Sequence, residues 1–233
     1  MSVLRITPAL ALLMGLVVLW GCGRSGTSPP SAGVAPRFVT KPDTWRRTEE
    51  SRCLALGVAR PSPFLVRRAS LGGPGSCNVA HPFEMGGAMG GRVAMRPTAL
   101  LRCEMIPAVE KWVLEVVQPA ARRHFGLAVV ELKVAASYGC RPINHQNGGR
   151  LSEHGHANAL DVSGFQLADG RWIMVKSGWW GDLRSRGFLR QVHGGACQIY
   201  TTVLGPHADS YHRDHFHMDL AWHGRDGRMT ICR

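Results

Sequence analysis

Apolar side chains recur at helical spacing between Pro107 and Phe125, where Val109, Trp112, Val113, Val116 and Val117 mark one face. This predicts a helix ended by Gly126, with Pro119 expected to kink or split it. From Ala128 to Ala136 the pattern alternates with β-branched residues and predicts a strand. Ala159 to Phe165 predicts another, with Leu160 and Val162 on one face and Asp161 on the other. Arg171 to Val175 predicts its neighbour, reached across the turn Ala168-Asp169-Gly170. Leu183 to Val192 predicts a helix whose apolar face is Leu183, Phe188, Leu189 and Val192. Ile199 to Leu204 and His215 to Ala221 predict the last strands. Residues 53–100 are rich in Gly and Pro, including the run Gly86-Gly87-Ala88-Met89-Gly90-Gly91, and predict irregular loops with short strands. That run lacks a Lys and a strand–helix setting, so it does not read as a phosphate loop. There is no internal repeat. The mixture predicts an α+β domain: a central, mostly antiparallel sheet with helices packed to one side.

The N-terminus differs from the rest. Behind the single charge of Arg5, the run from Ala9 to Trp20 is almost wholly apolar. It is shorter than the roughly 20 residues a transmembrane helix needs and fits the apolar core of a secretory signal. It ends in Leu19-Trp20-Gly21-Cys22, which resembles a bacterial lipobox; that resemblance implies a lipidated Cys22 as the mature N-terminus. Residues 23–42 are rich in Gly, Ser, Thr and Pro and predict a flexible linker. The expected layout is a signal with lipobox over 1–22, the linker over 23–42 and one domain over 43–233, placed in the periplasm or cell envelope and tethered to a membrane.

Composition narrows the partners. The formal net charge is +12, which favours acidic polymers: nucleic acid, anionic lipid or an anionic wall. No Lys/Arg block longer than a pair such as Arg67-Arg68 occurs, and export argues against nucleic acid. Beyond Cys22 the chain has six cysteines: Cys53, Cys77, Cys103, Cys140, Cys197 and Cys232. An even number in an exported chain predicts three disulfides. Pairing by order along the chain would join Cys53 to Cys77, Cys103 to Cys140 and Cys197 to Cys232. No two stand at CxxC spacing, so they do not form a zinc cluster.

Histidine carries the candidate chemistry. Of 11 in the chain, nine lie between His145 and His223. One concentration is Ser152-Glu153-His154-Gly155-His156-Ala157-Asn158-Ala159-Leu160-Asp161; the other is His212-Arg213-Asp214-His215-Phe216-His217-Met218-Asp219. On a strand, His215 and His217 share one face while Phe216 and Met218 point to the core. A loop bearing His154 and a strand bearing Asp161 can bring two further ligands to the same point. Two imidazoles and a carboxylate leave a fourth position for water, as in catalytic zinc sites. His81, His124, His145, His193, His207 and His223 have no such spacing and are expected to be ordinary surface or core residues. His156 is expected to be exposed or to lie behind the ligands, and Asp219 to be a supporting carboxylate. Trp179-Trp180 is the best candidate for a sugar-binding platform, although core packing is the expected role.

The order His-x6-Asp followed by His-x-His resembles the signature of a metallopeptidase superfamily that includes D-Ala-D-Ala carboxypeptidases, murein endopeptidases and the hedgehog signalling domain. Ser137-Tyr138-Gly139-Cys140-Arg141, Ser152-Glu153-His154, Ala159-Leu160-Asp161-Val162-Ser163-Gly164-Phe165 and Asp214-His215-Phe216-His217-Met218-Asp219-Leu220 resemble, more closely, the bacterial extensin-like C-terminal family over residues 45–233. The resemblance implies zinc ligands at His154, Asp161 and His217, and an unliganded His215 beside the metal. It implies a further active-site His212, and an Asp214 where the carboxypeptidases carry their catalytic Glu. Arg141 matches an arginine that contacts a substrate carboxylate, and Ser152 matches the serine of the carboxypeptidase motif; both are expected to bind substrate. His215 and Asp214 both stand as candidates for general base. Two departures stand out: Ala157 replaces a motif glycine, and the Glu-Pro-Trp-His run is replaced by Asp214-His215-Phe216-His217. The expected function is an exported zinc peptidase acting on stem peptides or cross-links of peptidoglycan. The alternative is a zinc-containing envelope domain that binds without cleaving.

Overall fold

The computed structural model describes residues 44–233 except Gly75. The expected signal, the expected lipidation at Cys22 and the expected linker all lie outside the described residues. The domain opens with α1 (Thr44–Ala55), which the sequence pattern does not reveal: it is polar around most of its circumference and buries only Glu50 and Cys53. Strands β1 (Leu65–Arg67), β2 (Phe83–Ala88) and β3 (Val93–Leu101) follow. Then come α2 (Met105–Trp112), a wide π turn over Val113–Val117 and α3 (Gln118–Phe125). Strand β4 (Val129–Ala136) leads through a long loop to β5 (Ala159–Leu167). After β6 (Trp172–Met174), α4 (Val175–Gly178) and α5 (Leu183–Ala196), the chain ends in β7 (Thr202–Leu204), β8 (Phe216–Asp219) and β9 (Ile231–Cys232).

The sheet runs β1-β2-β3-β4-β5-β8-β7-β9, with β6 also paired to β5; β3 with β4 and β7 with β9 are parallel, and the other pairs antiparallel. The fold is therefore α+β. The 53–100 region is more regular than its Gly and Pro content suggests. Strands β2 and β3 form a hairpin, with Phe83 opposite Leu101 and Ala88 opposite Val93. The register shifts between Met85 and Gly87, so a bulge rather than a loop absorbs the glycines. At Gly91 a Cβ would lie 2.3 Å from the Phe64 ring, so only glycine lets that aromatic close over the turn.

The 107–125 segment is helical, and Pro119 neither ends nor breaks it. A proline lacks an N–H and clashes with the carbonyl four residues back. The π turn immediately before it widens the backbone there. Gly126 ends α3 with φ +72°, the left-handed cap that glycine adopts without strain. Asp182 caps α5 by accepting the N–H groups of Arg184 and Ser185.

Strands β5 and β8 pair with Leu160 opposite Met218, Asp161 opposite His217 and Val162 opposite Phe216. Alternation sends Val162 and Phe216 to the helical side, where Phe165 meets Trp112, Phe188 and Phe216 ring to ring. Phe165, Phe188 and Phe216 are fully buried, each contributing roughly 2–3 kcal/mol of hydrophobic stabilisation. The same alternation forces Asp161 and His217 to the opposite face.

Two of the three expected disulfides are corrected. Cys53 pairs with Cys103, and Cys77 with Cys140; Cys197–Cys232 forms as expected. Order along the chain fails because α1 lies against the β3–α2 junction, where Arg102 donates to the carbonyl of Arg46. The 70–80 loop instead reaches the loop after β4, where Tyr138 Oη donates to the Cys77 carbonyl.

Candidate metal centre and its cavity

Asp161 and His217 are direct cross-strand partners on the face opposite the helices. His154 arrives from the loop between β4 and β5, on a single 3-10 turn over Glu153–His156. Ser152 caps that turn, its Oγ accepting the His154 N–H. Outward, Glu153 accepts a bidentate pair from Arg46 of α1 at 2.6 and 2.7 Å and a bond from Asn158 at 2.6 Å. Helix α1, itself tied down by Cys53–Cys103, thus anchors the turn that presents His154. Cys77 Sγ would sit 3.2 Å from a Cβ at Gly155, so the second disulfide also packs against this turn.

The motif position held by Ala157 does adopt a left-handed conformation, with φ +50° and ψ +28°. An alanine there costs roughly 1–2 kcal/mol of local strain. The turn is kept by Ala157 N–H donating to the His154 carbonyl and by Asn158 N–H donating to that of Glu153.

Two imidazole nitrogens and the two oxygens of one carboxylate converge. His154 Nε2 is 3.2 Å from His217 Nδ1 and 3.2 Å from Asp161 Oδ2, and His217 Nδ1 is 2.9 Å from Asp161 Oδ1. All three side chains are buried. Each imidazole is held from behind: His154 Nδ1 donates to the Ser137 carbonyl, and His217 Nε2 donates to Asp219 Oδ2 at 2.9 Å. Asp219 also accepts the Ala221 N–H. With those outer protons in place, the neutral rings turn two lone pairs and a carboxylate toward one another, an arrangement that calls for a cation. Burial alone would lower the His217 pKa, but its bonds to Asp161 and Asp219 and their charge raise it to about 10. Burial would likewise raise Asp161, but its bonds to His154 and His217 hold it well below the usual carboxylate range.

His215 lies beside this cluster, its Nε2 3.6 Å from Asp161 Oδ2 and its Nδ1 donating to Asp214 at 2.9 Å. Asp214 and His215, which the sequence leaves as competing bases, therefore form one dyad in which the carboxylate orients the ring. His212 stacks near both, with ring centroids 5.4 Å from His215 and 5.7 Å from His217. Its Nδ1 donates to Asp209 at 2.7 Å. Burial holds the His212 pKa below the ordinary histidine value, the bond to Asp209 notwithstanding.

A cavity of about 450 Å³ opens over these groups. Arg141, Ser152, Asp161, His154, His212, His215 and His217 all line it, so the predicted residues come together, except that Asp214 stands behind His215 rather than on the wall. Arg150, Tyr211, His145 and His223 also line it and carry no motif signal. His223 binds Thr202 Oγ1 at 2.7 Å. Asn144 and His145 both have positive φ, a strained pair of the kind that clusters at functional sites. His156 is buried rather than exposed. Trp179 is core, packed on His193, His207 and Phe216, whereas Trp180 is half exposed.

Among the described residues, His193, Cys197 and Cys232 form a second group with clustered donor atoms. There the two sulfurs are bonded to each other and offer no thiolates. No helix among the described residues is long and apolar enough to cross a membrane.

No curated protein and no solved structure matches the chain. A family model described as "Extensin-like protein C-terminus" matches residues 51–233, the span that contains every element of the sheet and every residue of the cavity. The chain belongs to the extensin-like C-terminal family.

Proposed function

We propose that the chain is an exported zinc peptidase that hydrolyses stem peptides or cross-links of peptidoglycan, with His154, Asp161 and His217 as the zinc ligands. The observation that carries this reading is the ligand triangle. Zinc bonds of roughly 2.0–2.1 Å in tetrahedral geometry require donor atoms about 3.3 Å apart. The two imidazole nitrogens stand 3.2 Å apart, and each lies 2.9–3.2 Å from one oxygen of Asp161. The Asp219–His217 and Ser137–His154 bonds supply the outer partners that zinc-bound imidazoles use. A zinc ion held there would polarise a carbonyl and bring the pKa of a bound water to about 7.

The chain's own groups account for the rest. His215, fixed through Nδ1 by Asp214, presents Nε2 on the cavity side and takes the proton of the attacking water. Arg141 receives a substrate carboxylate through its guanidinium fork. The cavity volume falls in the range of small-ligand sites and suits a short peptide segment. The net charge of +12 suits an anionic wall polymer. In this reading residues 1–22 direct export and Cys22 carries the lipid that tethers the domain to a membrane. Fatty-acid labelling lost in Cys22→Ala tests the tether.

Digestion of purified murein tests the reaction. Soluble muropeptides should appear with wild-type protein, vanish with chelator, return with added zinc and be absent for His217→Ala. A folded, zinc-loaded protein that binds murein but releases no fragments would refute the peptidase and leave a binding domain.

A further inference from the structure

Each of the four imidazoles around the cavity has one ring nitrogen tied to a protein acceptor: His154 to the Ser137 carbonyl, His217 to Asp219, His215 to Asp214 and His212 to Asp209. The first three follow from the ligand set and the base. The fourth has no role yet. Asp209 lies just before the 3-10 turn Ser210–His212, and its Oδ1 accepts two hydrogen bonds, from Tyr211 N–H at 2.8 Å and from His212 Nδ1–H at 2.7 Å. The His212 side chain is 10% exposed, and among the described residues its Nε2 has no hydrogen-bond partner. That nitrogen belongs to a ring on the cavity wall, beside His215 and His217.

We infer that Asp209 is a positioning residue: it holds His212 with its proton on Nδ1, so that Nε2 offers a lone pair inside the cavity. His212 then acts as a second acceptor, separate from the Asp214–His215 dyad, for a proton or a peptide N–H of the substrate. Which nitrogen of a histidine carries the proton is set by the bond the other makes. Here that bond is fixed by backbone geometry, because the oxygen facing His212 is the one the Tyr211 N–H requires. The inference rests on the peptidase reading for its catalytic consequence, but not for its geometry.

The test uses full-length protein with nitrogen-labelled histidine. Ring nitrogen spectra should show His212 protonated on Nδ1 in the wild type. Asp209→Ala should move that proton to Nε2 and lower murein turnover tenfold or more, within the span that a positioned acid–base group contributes. Zinc affinity should not change, and the His154 and His217 ring signals should stay where they are. Asp209→Asn should keep the wild-type tautomer and most of the turnover, because the Tyr211 N–H holds the amide oxygen in the carboxylate's place. A wild-type His212 protonated on Nε2, a tautomer unmoved in Asp209→Ala, or a moved tautomer with full turnover would each overturn the inference. If the wild type cleaves nothing, the peptidase reading fails, while the spectra still decide whether Asp209 fixes His212.

Discussion

Replacing Asp219 by Asn probes how the sheet holds its candidate metal ligand. Asp219 is two residues beyond His217 on β8, buried, and uses both oxygens: Oδ2 for His217 Nε2–H and Oδ1 for the Ala221 N–H, each at 2.9 Å. Asparagine keeps the volume but not the charge, and turns its NH2 toward one of two donors. The charge-assisted bond that orients His217 is lost. Loss of such an outer partner typically weakens metal binding 10–100-fold, or about 1.4–2.7 kcal/mol at 1.36 kcal/mol per decade. The assay is chelator competition for zinc at fixed pH, with Asp169→Asn as control. Asp169 pairs with Arg171 at the surface and should leave the affinity untouched. A folded Asp219→Asn protein that binds zinc within threefold of wild type would refute the idea that the Asp219–His217 bond shapes the site.

Further expectations concern the scaffold. Arg46→Ala breaks the largely buried pair with Glu153 and should cost about 3 kcal/mol in denaturant unfolding, the low end for such pairs because Asn158 still meets Glu153; a loss below 1 kcal/mol would show that α1 does not brace the His154 turn. Ala157→Gly should be neutral to within about 0.5 kcal/mol, since relief of left-handed strain offsets the added chain entropy. Ala121→Gly, in the interior of α3, should lose about 1 kcal/mol, and equal losses at the two sites would contradict the account. His193 has its pKa lowered by burial, against a bond to the Arg233 carbonyl that raises it and with the charge of His207 lowering it further. The unfolded chain therefore takes up the proton first, and stability should fall as pH drops below about 6.5. His193→Gln, which can still donate to Arg233, should flatten that slope, measured by melting temperature between pH 5 and 7.5.

The sequence reveals the sheet centre well because period-two patterning there coincides with burial on both faces. Leu160, Val162, Phe216 and Met218 mark the strands, and the intervening Asp161 and His217 are left to the site. It reveals much less where local composition and tertiary context disagree. Helix α1 has no apolar stripe, since disulfide and ion-pair contacts hold it rather than a hydrophobic face. The β2–β3 hairpin hides behind Gly86, Gly87 and Pro97, which a bulge and close packing on Phe64 accommodate. Cysteine pairing depends on which loops the sheet order brings together, and spacing does not encode that. At the site, His154, Asp161 and His217 are visible as two short motifs. Arg150, His145 and His223 join the cavity only through the path of long loops. Asp209 carries a faint signal, an acid three residues before a histidine.

Metal content tests the central claim most directly. Full-length protein purified without chelator should carry one zinc per chain by elemental analysis, and His154→Ala, Asp161→Ala and His217→Ala should each lose it while Asp214→Ala keeps it. Metal-free wild type that takes up no zinc at micromolar concentration, or ligand variants that retain a full equivalent, would contradict the account.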